Sequence, residues 1–185
     1  MPSFRFGPHA VDVRHVFHST PLSLAFVNLR PALPGHVLVV PRRVAPRLDD
    51  LSDAEAADLF LAARAVGRAL SGHYRATALT VSVQDGPHAG QSVPHAHFHV
   101  IPRVPADLER NDEIYDRLYD ADARAVPPRA GAGVGEGAGA APAAGRGVAP
   151  DVVPSEQRRS RGEEEMAAEA AVFAALPGMA GWTEG

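Results

Sequence analysis

The sequence predicts an α+β fold in which an antiparallel sheet packs against a long helix and a short helix. Three observations predict it: short runs rich in β-branched residues, brief turns between neighbouring runs, and one long stretch with apolar residues at helical spacing. Short connections join antiparallel strands, whereas parallel strands need long crossovers. The length of 185 residues suits one domain with an appended segment.

Four strands are predicted from the residues alone. The first two cover residues 22–28 (LSLAFVN) and 36–41 (HVLVVP), on either side of a turn rich in proline and glycine. The third covers residues 77–84 (TALTVSVQ), which alternate and are rich in β-branched side chains. The fourth covers residues 94–102 (PHAHFHVIP), with a proline near each end, where proline costs a sheet least.

The long helix is predicted to begin after Ser52, because Ser52 and Glu55 have the S-x-x-E spacing of a capping box. Apolar residues at helical spacing then form one stripe over about five turns, and the helix is expected to end near Gly72. A short amphipathic helix is predicted over residues 111–121. A C-terminal helix over residues 162–176 is rich in alanine and has acidic residues in its first turn, which favours a helix N-terminus.

The composition changes in the second half of the chain. Residues 130–150 are mostly alanine, glycine and proline and have no apolar period, so we expect a disordered insert that cannot build a core. We therefore divide the chain into a folded domain over residues 1–126, a flexible low-complexity linker over residues 127–160, and a C-terminal helix over residues 161–176 followed by a tail.

The composition also excludes several kinds of function. Cysteine and lysine are absent, which excludes a thiol nucleophile, a thiolate zinc site and a Schiff-base lysine. The net charge of −4 argues against duplex nucleic acid as a partner. No apolar run approaches the roughly 20 residues of a membrane span, and the N-terminus has too few apolar residues for a signal peptide. We expect a cytoplasmic protein, and nothing in the sequence separates cytosol from nucleus.

Histidine is concentrated in one place. Of the nine histidines, His95, His97 and His99 fall within the fourth predicted strand. Alternate side chains of a strand share a face, so the three imidazoles are predicted to stand in a row while the intervening residues face the core. Such a row can bind a metal ion, carry out nucleophilic chemistry at phosphorus, or be a solvated surface. We assign His15 and His18, together with His73, to the surface.

A loop of small residues, 86–93, runs directly into the histidine row. Such a loop can present backbone amides and a hydroxyl to an anion at close range. A metal site usually has carboxylates in its outer shell, and no carboxylate lies beside the three histidines in sequence. The surroundings therefore favour chemistry on a phosphate group over a metal site.

The run QDGPHAGQSVPHAHFHVIPR, residues 84–103, resembles the histidine triad signature, and within that superfamily it resembles the fragile histidine triad branch of dinucleoside triphosphate hydrolases. The resemblance covers roughly residues 3–120 and 161–173. It implies the histidine triad fold, with an antiparallel sheet of about five strands, and a homodimer that shares its sheet. Further segments that carry it are SFRFG (3–7), LAFVN (24–28), PGHVL (34–38), NDEIY (111–115) and EEEMAAEA (163–170).

The resemblance also implies roles for individual residues. It makes His97 the nucleophile that is nucleotidylated at the α-phosphate, His99 a phosphate ligand that helps proton transfer, and His95 a catalytic residue that supports their geometry. It makes Asn28 a ribose contact and places His9 near the nucleotide. The implied substrate-binding residues are His9, Asn28, His36, Gln84, Gly90, Gln91, Ser92, Val93 and His99.

The implied reaction is the hydrolysis of diadenosine triphosphate to AMP and ADP. We expect no metal ion on the histidines and no tightly bound cofactor. A divalent cation, Mn²⁺ or Mg²⁺, is expected to bind together with the polyphosphate. Two alternatives stay open. A nucleoside phosphoramidase of the neighbouring branch would use the same histidines with a small amine as leaving group, and a nucleotide-binding signalling module would need the same pocket. We assign Tyr115 to packing of the short helix.

Overall fold

The structure, a computed structural model, describes residues 3–123 and 160–180. Almost all of the predicted linker, residues 127–160, lies outside these ranges, so the division of the chain into domains stays a prediction. No helix in the described ranges is both long enough and apolar enough to cross a bilayer.

Seven strands and three α-helices lie within the described ranges, and they confirm the α+β class. Strands β3 to β7 form one antiparallel sheet in the order β3-β4-β5-β7-β6, and β1 and β2 form a separate hairpin. In chain order the elements are β1 (Ser3–Phe6), β2 (His9–Asp12), β3 (Val16–Ser19), β4 (Ser23–Val27), β5 (Val37–Pro41), α1 (Asp53–Tyr74), β6 (Ala78–Val83), β7 (Phe98–Arg103), α2 (Glu113–Ala123) and α3 (Glu163–Ala174).

The sequence prediction missed the first three strands. Strand β3 contains His18, and all four of its residues are buried, so it shows no alternation between apolar and polar positions. Strands β1 and β2 have only four residues each and pair with one another alone. Short strands of this kind give too little periodicity to be recognised.

The predicted start of the histidine strand is wrong. Strand β7 begins at Phe98, and the residues before it form bends instead of a strand. The amide of His95 donates to the carbonyl of Val93 at 2.8 Å, and the amide of Ala96 donates to the carbonyl of Ala45 at 2.7 Å. These bonds replace the strand ladder, and so His95 and His97 precede the strand.

One face of the sheet is covered by α1 and α3. Helix α1 begins with the predicted capping box, in which the side chains of Ser52 and Glu55 each accept the other's backbone N–H. Its apolar stripe packs on sheet residues such as Val39 and Val100. Helix α3 joins the same core through Phe173, whose ring lies 5.3 Å from that of Phe17. The C-terminal helix is therefore part of the main core.

The opposite face is covered by the β1–β2 hairpin and by α2. The rings of Phe4 and Phe6 lie 5.1 and 5.5 Å from the ring of Phe26. Helix α2 packs through Ile114 on Ile101, which follows Val100 in β7 and so points to the other side of the sheet. Tyr115 does not pack as predicted: it is 59% exposed, because the buried face of α2 is formed by its neighbours.

The assignment of His15 and His18 to the surface is also wrong, since both are buried. The Nδ1 atom of His18 accepts the backbone N–H of Ala180 at 3.1 Å, and Nε2 of His15 lies 3.3 Å from the carbonyl oxygen of Glu163. Burial lowers the pKa of His18. Both residues face the C-terminal segment, which is remote in sequence. His73 is exposed, as predicted.

The packing of α3 gives a matched test of stability. Replacing the buried Phe173 with alanine is expected to lower the free energy of unfolding by about 3–5 kcal/mol, because it leaves a cavity between α3 and the sheet. Replacing its exposed neighbour Val172 with alanine should change it by less than about 0.5 kcal/mol. Urea unfolding of both variants measures this. Equal losses would contradict the docking of α3 in the core.

Candidate active site

A pocket of about 520 Å³ lies between the hairpin, the end of β4, the start of β7 and the C-terminal segment. Of the residues predicted from the sequence, six line it: His9, Asn28, Ser92, Val93, His97 and His99. The other five do not line it: His36, Gln84, Gly90, Gln91 and His95. Hydrogen bonds show what His36, His95 and Gln91 do outside the pocket lining.

His95 joins the hairpin to the sheet. Its Nδ1 atom accepts the backbone N–H of Gly7 at 3.0 Å, so the hydrogen of the neutral ring is on Nε2, which donates to the carbonyl of Pro41 at 2.9 Å. Burial lowers the pKa of His95, which favours this neutral ring. Gly7 has a positive φ of 56°, and a Cβ there would lie 2.7 Å from Val93 Cγ1. The contact therefore depends on glycine.

His97 has the opposite tautomer. Its Nδ1 atom lies 2.7 Å from the backbone carbonyl oxygen of His95. A carbonyl oxygen only accepts, so Nδ1 carries the hydrogen and Nε2 of the neutral ring carries a lone pair. The ring of Phe6 packs edge-on at 5.2 Å and restricts its orientation. His97 is thus in the form in which an imidazole attacks an electrophile.

His36 and His99 form a second pair. The backbone N–H of Ala32 donates to Nδ1 of His36 at 3.0 Å, so the His36 hydrogen is on Nε2. This Nε2 lies 2.9 Å from Nδ1 of His99 and donates to it. The hydrogen of a neutral His99 ring is therefore on Nε2. His36 does not line the pocket, but it determines which nitrogen of His99 is a donor.

Asn28 lies beside this second pair. Its Oδ1 atom accepts the backbone N–H of Arg30 at 3.0 Å, which determines which way the amide points. Its Nδ2 atom is then 3.2 Å from Nε2 of His36. Both of these nitrogens carry hydrogen, so the shorter contact from His36 to His99 takes the His36 hydrogen. The Asn28 amide is left to face the pocket.

The Nε2 atoms of His97 and His99 present groups of opposite polarity to the same pocket. The rings of His97 and His99 are 5.0 Å apart between centroids. His97 offers a lone pair on Nε2, and His99 offers an N–H on Nε2. One ring can attack an electrophilic centre while the other donates a hydrogen bond or a proton to the groups around it. This arrangement suits displacement at a phosphorus atom with anionic oxygens.

The loop before the histidines is held in place by side chains. Gln91 accepts the backbone N–H of Gly86 and donates to the carbonyl of Pro46, both at 2.8 Å. Asp85 forms a two-bond ion pair with Arg47, with both N–O distances 3.0 Å. The side chain of Gln91 is therefore committed to the loop. Its predicted contact with substrate stays a prediction.

Gln84 and Gly90 also lie outside the pocket lining. The Oε1 atom of Gln84 is buried and has no hydrogen-bond partner among residues 3–123 and 160–180. An amide oxygen only accepts hydrogen bonds and the oxygens of a phosphate chain do not donate them, so the predicted contact of Gln84 with substrate stays a prediction. Gly90 has a positive φ of 94°, a backbone conformation that favours glycine, at the turn before Gln91.

The sequence prediction missed the part of the pocket wall that comes from the C-terminal segment. Arg161, Glu163 and Met166 line it, together with Asp12 and His15 from the N-terminal region. The only sign of this part of the wall in the sequence was the family resemblance over residues 163–170, and it implied no site residue in that segment. The backbone N–H of Arg14, and to a lesser extent its guanidinium, donate hydrogen bonds to the carboxylate of Asp12 and lower its pKa.

The described residues contain no group of three or more His, Cys, Asp or Glu side chains placed to hold a metal ion. The pocket lining within residues 3–123 and 160–180 offers imidazole, amide, hydroxyl, carboxylate and guanidinium groups.

The chain matches the HIT domain over residues 11–106. It is 56% identical over 116 residues to the bifunctional bis(5'-adenosyl)-triphosphatase/adenylylsulfatase FHIT of Arabidopsis thaliana, a match that covers 63% of this chain and 64% of that protein. It is 44% identical over 118 residues to the bis(5'-adenosyl)-triphosphatase of Dictyostelium discoideum, covering 64% of this chain and 79% of that protein.

A solved structure is also similar. The diadenosine triphosphate hydrolase of Plasmodium falciparum, in complex with cyclomarin A, superposes with a TM-score of 0.56 at 30% identity. The match covers 66% of this chain and 83% of that chain. The matched region thus spans most of two relatives but less than two thirds of the Arabidopsis protein.

Proposed function

Because this chain belongs to the HIT domain family, and within it to the fragile histidine triad branch, we propose that it hydrolyses dinucleoside triphosphates, typically diadenosine triphosphate to AMP and ADP. The single observation that carries the proposal is the pair of opposite tautomers at His97 and His99 in one pocket. The names of the relatives support it, since they are a bis(5'-adenosyl)-triphosphatase and a diadenosine triphosphate hydrolase.

The first step is displacement at the α-phosphorus. The Nε2 lone pair of His97 forms a P–N bond as the P–O bond to the leaving ADP breaks, and ADP takes the electron pair as an anion. The Nε2–H of His99 donates to the phosphoryl oxygens, where charge accumulates in the transition state. The carbonyl of His95 keeps hydrogen-bonding to His97 Nδ1–H and stabilises the positive charge that develops on the ring.

The second step releases AMP. Water attacks the phosphorus of the nucleotidyl-His97 intermediate, the P–N electrons return to Nε2, and the water proton leaves to solvent. Splitting one displacement into two lowers the barrier of each. The enzyme then has the starting tautomer again, because Nδ1 of His97 has kept its hydrogen throughout.

The remaining substrate contacts follow the sequence prediction. Asn28 binds ribose and His9 lies near the nucleotide. Gln84 and the loop over residues 90–93 contact the phosphate chain. A divalent cation, Mg²⁺ or Mn²⁺, enters with the polyphosphate and neutralises part of its charge.

We also propose that the protein is a homodimer. Strand β6 is an edge of the sheet, and Leu79, Val81 and Val83 on one of its faces are 39%, 46% and 38% exposed. Val83 pairs with Phe98, whose ring contacts the ring of Phe60 on α1, itself 59% exposed. A continuous apolar patch beside an open strand edge favours coverage by a second copy of the chain.

The hydrolase proposal is tested by product analysis. Wild-type protein with Mg²⁺ is expected to convert diadenosine triphosphate to equimolar AMP and ADP, and to prefer it over adenosine phosphoramidate. His97→Asn removes the nucleophile and should lower kcat by on the order of 10³-fold or more. His88→Asn, an exposed histidine outside the pocket, should keep wild-type turnover. Full turnover by a folded His97→Asn variant would contradict the mechanism, and cleavage of the phosphoramidate alone would assign the neighbouring branch.

The dimer proposal is tested by sedimentation velocity. Val81→Asp places a charge in the apolar patch on β6 and should convert the dimer to a monomer, because a buried unpaired carboxylate is costly. Val172→Asp makes the same change on α3, which packs near the other edge of the sheet, and should leave the dimer intact. A wild-type monomer at micromolar concentration, or equal effects of the two variants, would refute this interface.

A further inference from the structure

The loop between β4 and β5, residues 28–36, carries two residues of the site, Asn28 and His36. It has no regular strand or helix, and contacts from other parts of the chain position it. On one side, Arg117 of α2 donates to the carbonyl of Ala32 at 3.2 Å. On the other side, it is held by the C-terminal segment. The position of the Asn28 amide thus depends on residues far away in the sequence.

Arg161 makes the contact from the C-terminal segment. Its Nε atom donates to the backbone carbonyl of Asn28 at 3.1 Å, and its Nη2 donates to the same oxygen. Its Nη1 pairs with the carboxylate of Glu169 on α3. Its own backbone N–H donates to the carbonyl of Leu29 at 3.1 Å. With a side chain only 10% exposed, Arg161 joins α3 to the residue that faces the pocket.

We propose that Arg161 is a positioning residue, which holds Asn28 so that its amide meets the ribose hydroxyls of the substrate. This inference rests on the proposed function, and it assigns part of nucleoside recognition to the C-terminal segment. Arg161 acts through Asn28.

The chemistry of Asn28 fits this role. Its Oδ1 is occupied by the N–H of Arg30, so the amide has one orientation, with the hydrogens of Nδ2 directed away from that bond. A ribose hydroxyl oxygen can accept such a hydrogen. The bond is short-ranged and directional, so a small shift of the Asn28 backbone would lose it.

Arginine is required for the positioning. A planar guanidinium can donate two parallel N–H groups to one oxygen and a third to a carboxylate, all in fixed directions. A lysine ammonium keeps the charge and can pair with Glu169, but it cannot make both bonds to the Asn28 carbonyl in the same geometry. Arg161→Lys therefore separates positioning from charge.

The test compares two substrates: diadenosine triphosphate, and its analogue in which every 2′- and 3′-hydroxyl is replaced by hydrogen. Arg161→Lys should raise KM for the ribose substrate roughly three- to tenfold, the loss of about one hydrogen bond, with kcat within about twofold. KM for the analogue should not change. Arg43→Lys is the matched control: Arg43 also forms an ion pair with a glutamate, Glu55, but neither residue lines the pocket, so this variant should change neither value.

A second comparison shows whether Arg161 acts through Asn28. In an Asn28→Ala background, Arg161→Lys should have no further effect on the KM for the ribose substrate. The inference is overturned if Arg161→Lys raises KM equally for both substrates, or keeps its full effect without the Asn28 amide. It is also overturned, with hydrolysis left standing, if the wild type does not discriminate between the substrates. A wild type that cleaves neither substrate overturns the proposed function as well.

Discussion

A single backbone carbonyl determines what this pocket can do. The carbonyl oxygen of His95 lies 2.7 Å from Nδ1 of His97, and it forces the ring hydrogen onto that nitrogen. Only then does Nε2 of His97 keep its lone pair. The carbonyl is itself positioned because the His95 ring is held on both sides, by the N–H of Gly7 and by the carbonyl of Pro41. The packing of the β1–β2 hairpin on the sheet therefore helps to determine the tautomer of His97.

The hydrogen bond between His36 and His99 determines a tautomer in the same way, but it leaves the hydrogen of His99 on Nε2. A backbone N–H at Ala32 makes Nδ1 of His36 an acceptor, and the hydrogen on the far side of His36 makes Nδ1 of His99 an acceptor too. The carbonyl of His95 thus leaves a lone pair on Nε2 of His97. The amide of Ala32, acting through His36, leaves an N–H on Nε2 of His99. Four buried histidines thus give a nucleophile and a donor within one small pocket.

The sequence predicted the parts of the structure that depend on local pattern. The capping box at Ser52 and the apolar stripe after it predicted α1, and the histidine run with its loop predicted the centre of the site. Features that depend on long-range contacts could not be predicted, because such contacts leave no local sequence pattern. The burial of His15 arises from the C-terminal segment, and the commitment of Gln91 to its own loop arises from hydrogen bonds to Gly86 and Pro46. Arg161 reaches the site for the same reason, by docking of α3.

The opposite tautomers are tested most directly by ¹⁵N NMR of the wild-type protein with labelled histidine, near neutral pH and without substrate. Each ring nitrogen reports whether it carries hydrogen. We expect His97 to be protonated on Nδ1 and not on Nε2, whereas His36, His95 and His99 should be protonated on Nε2. A neutral His97 with its hydrogen on Nε2 would have no lone pair there to present to the substrate and would contradict the proposed mechanism.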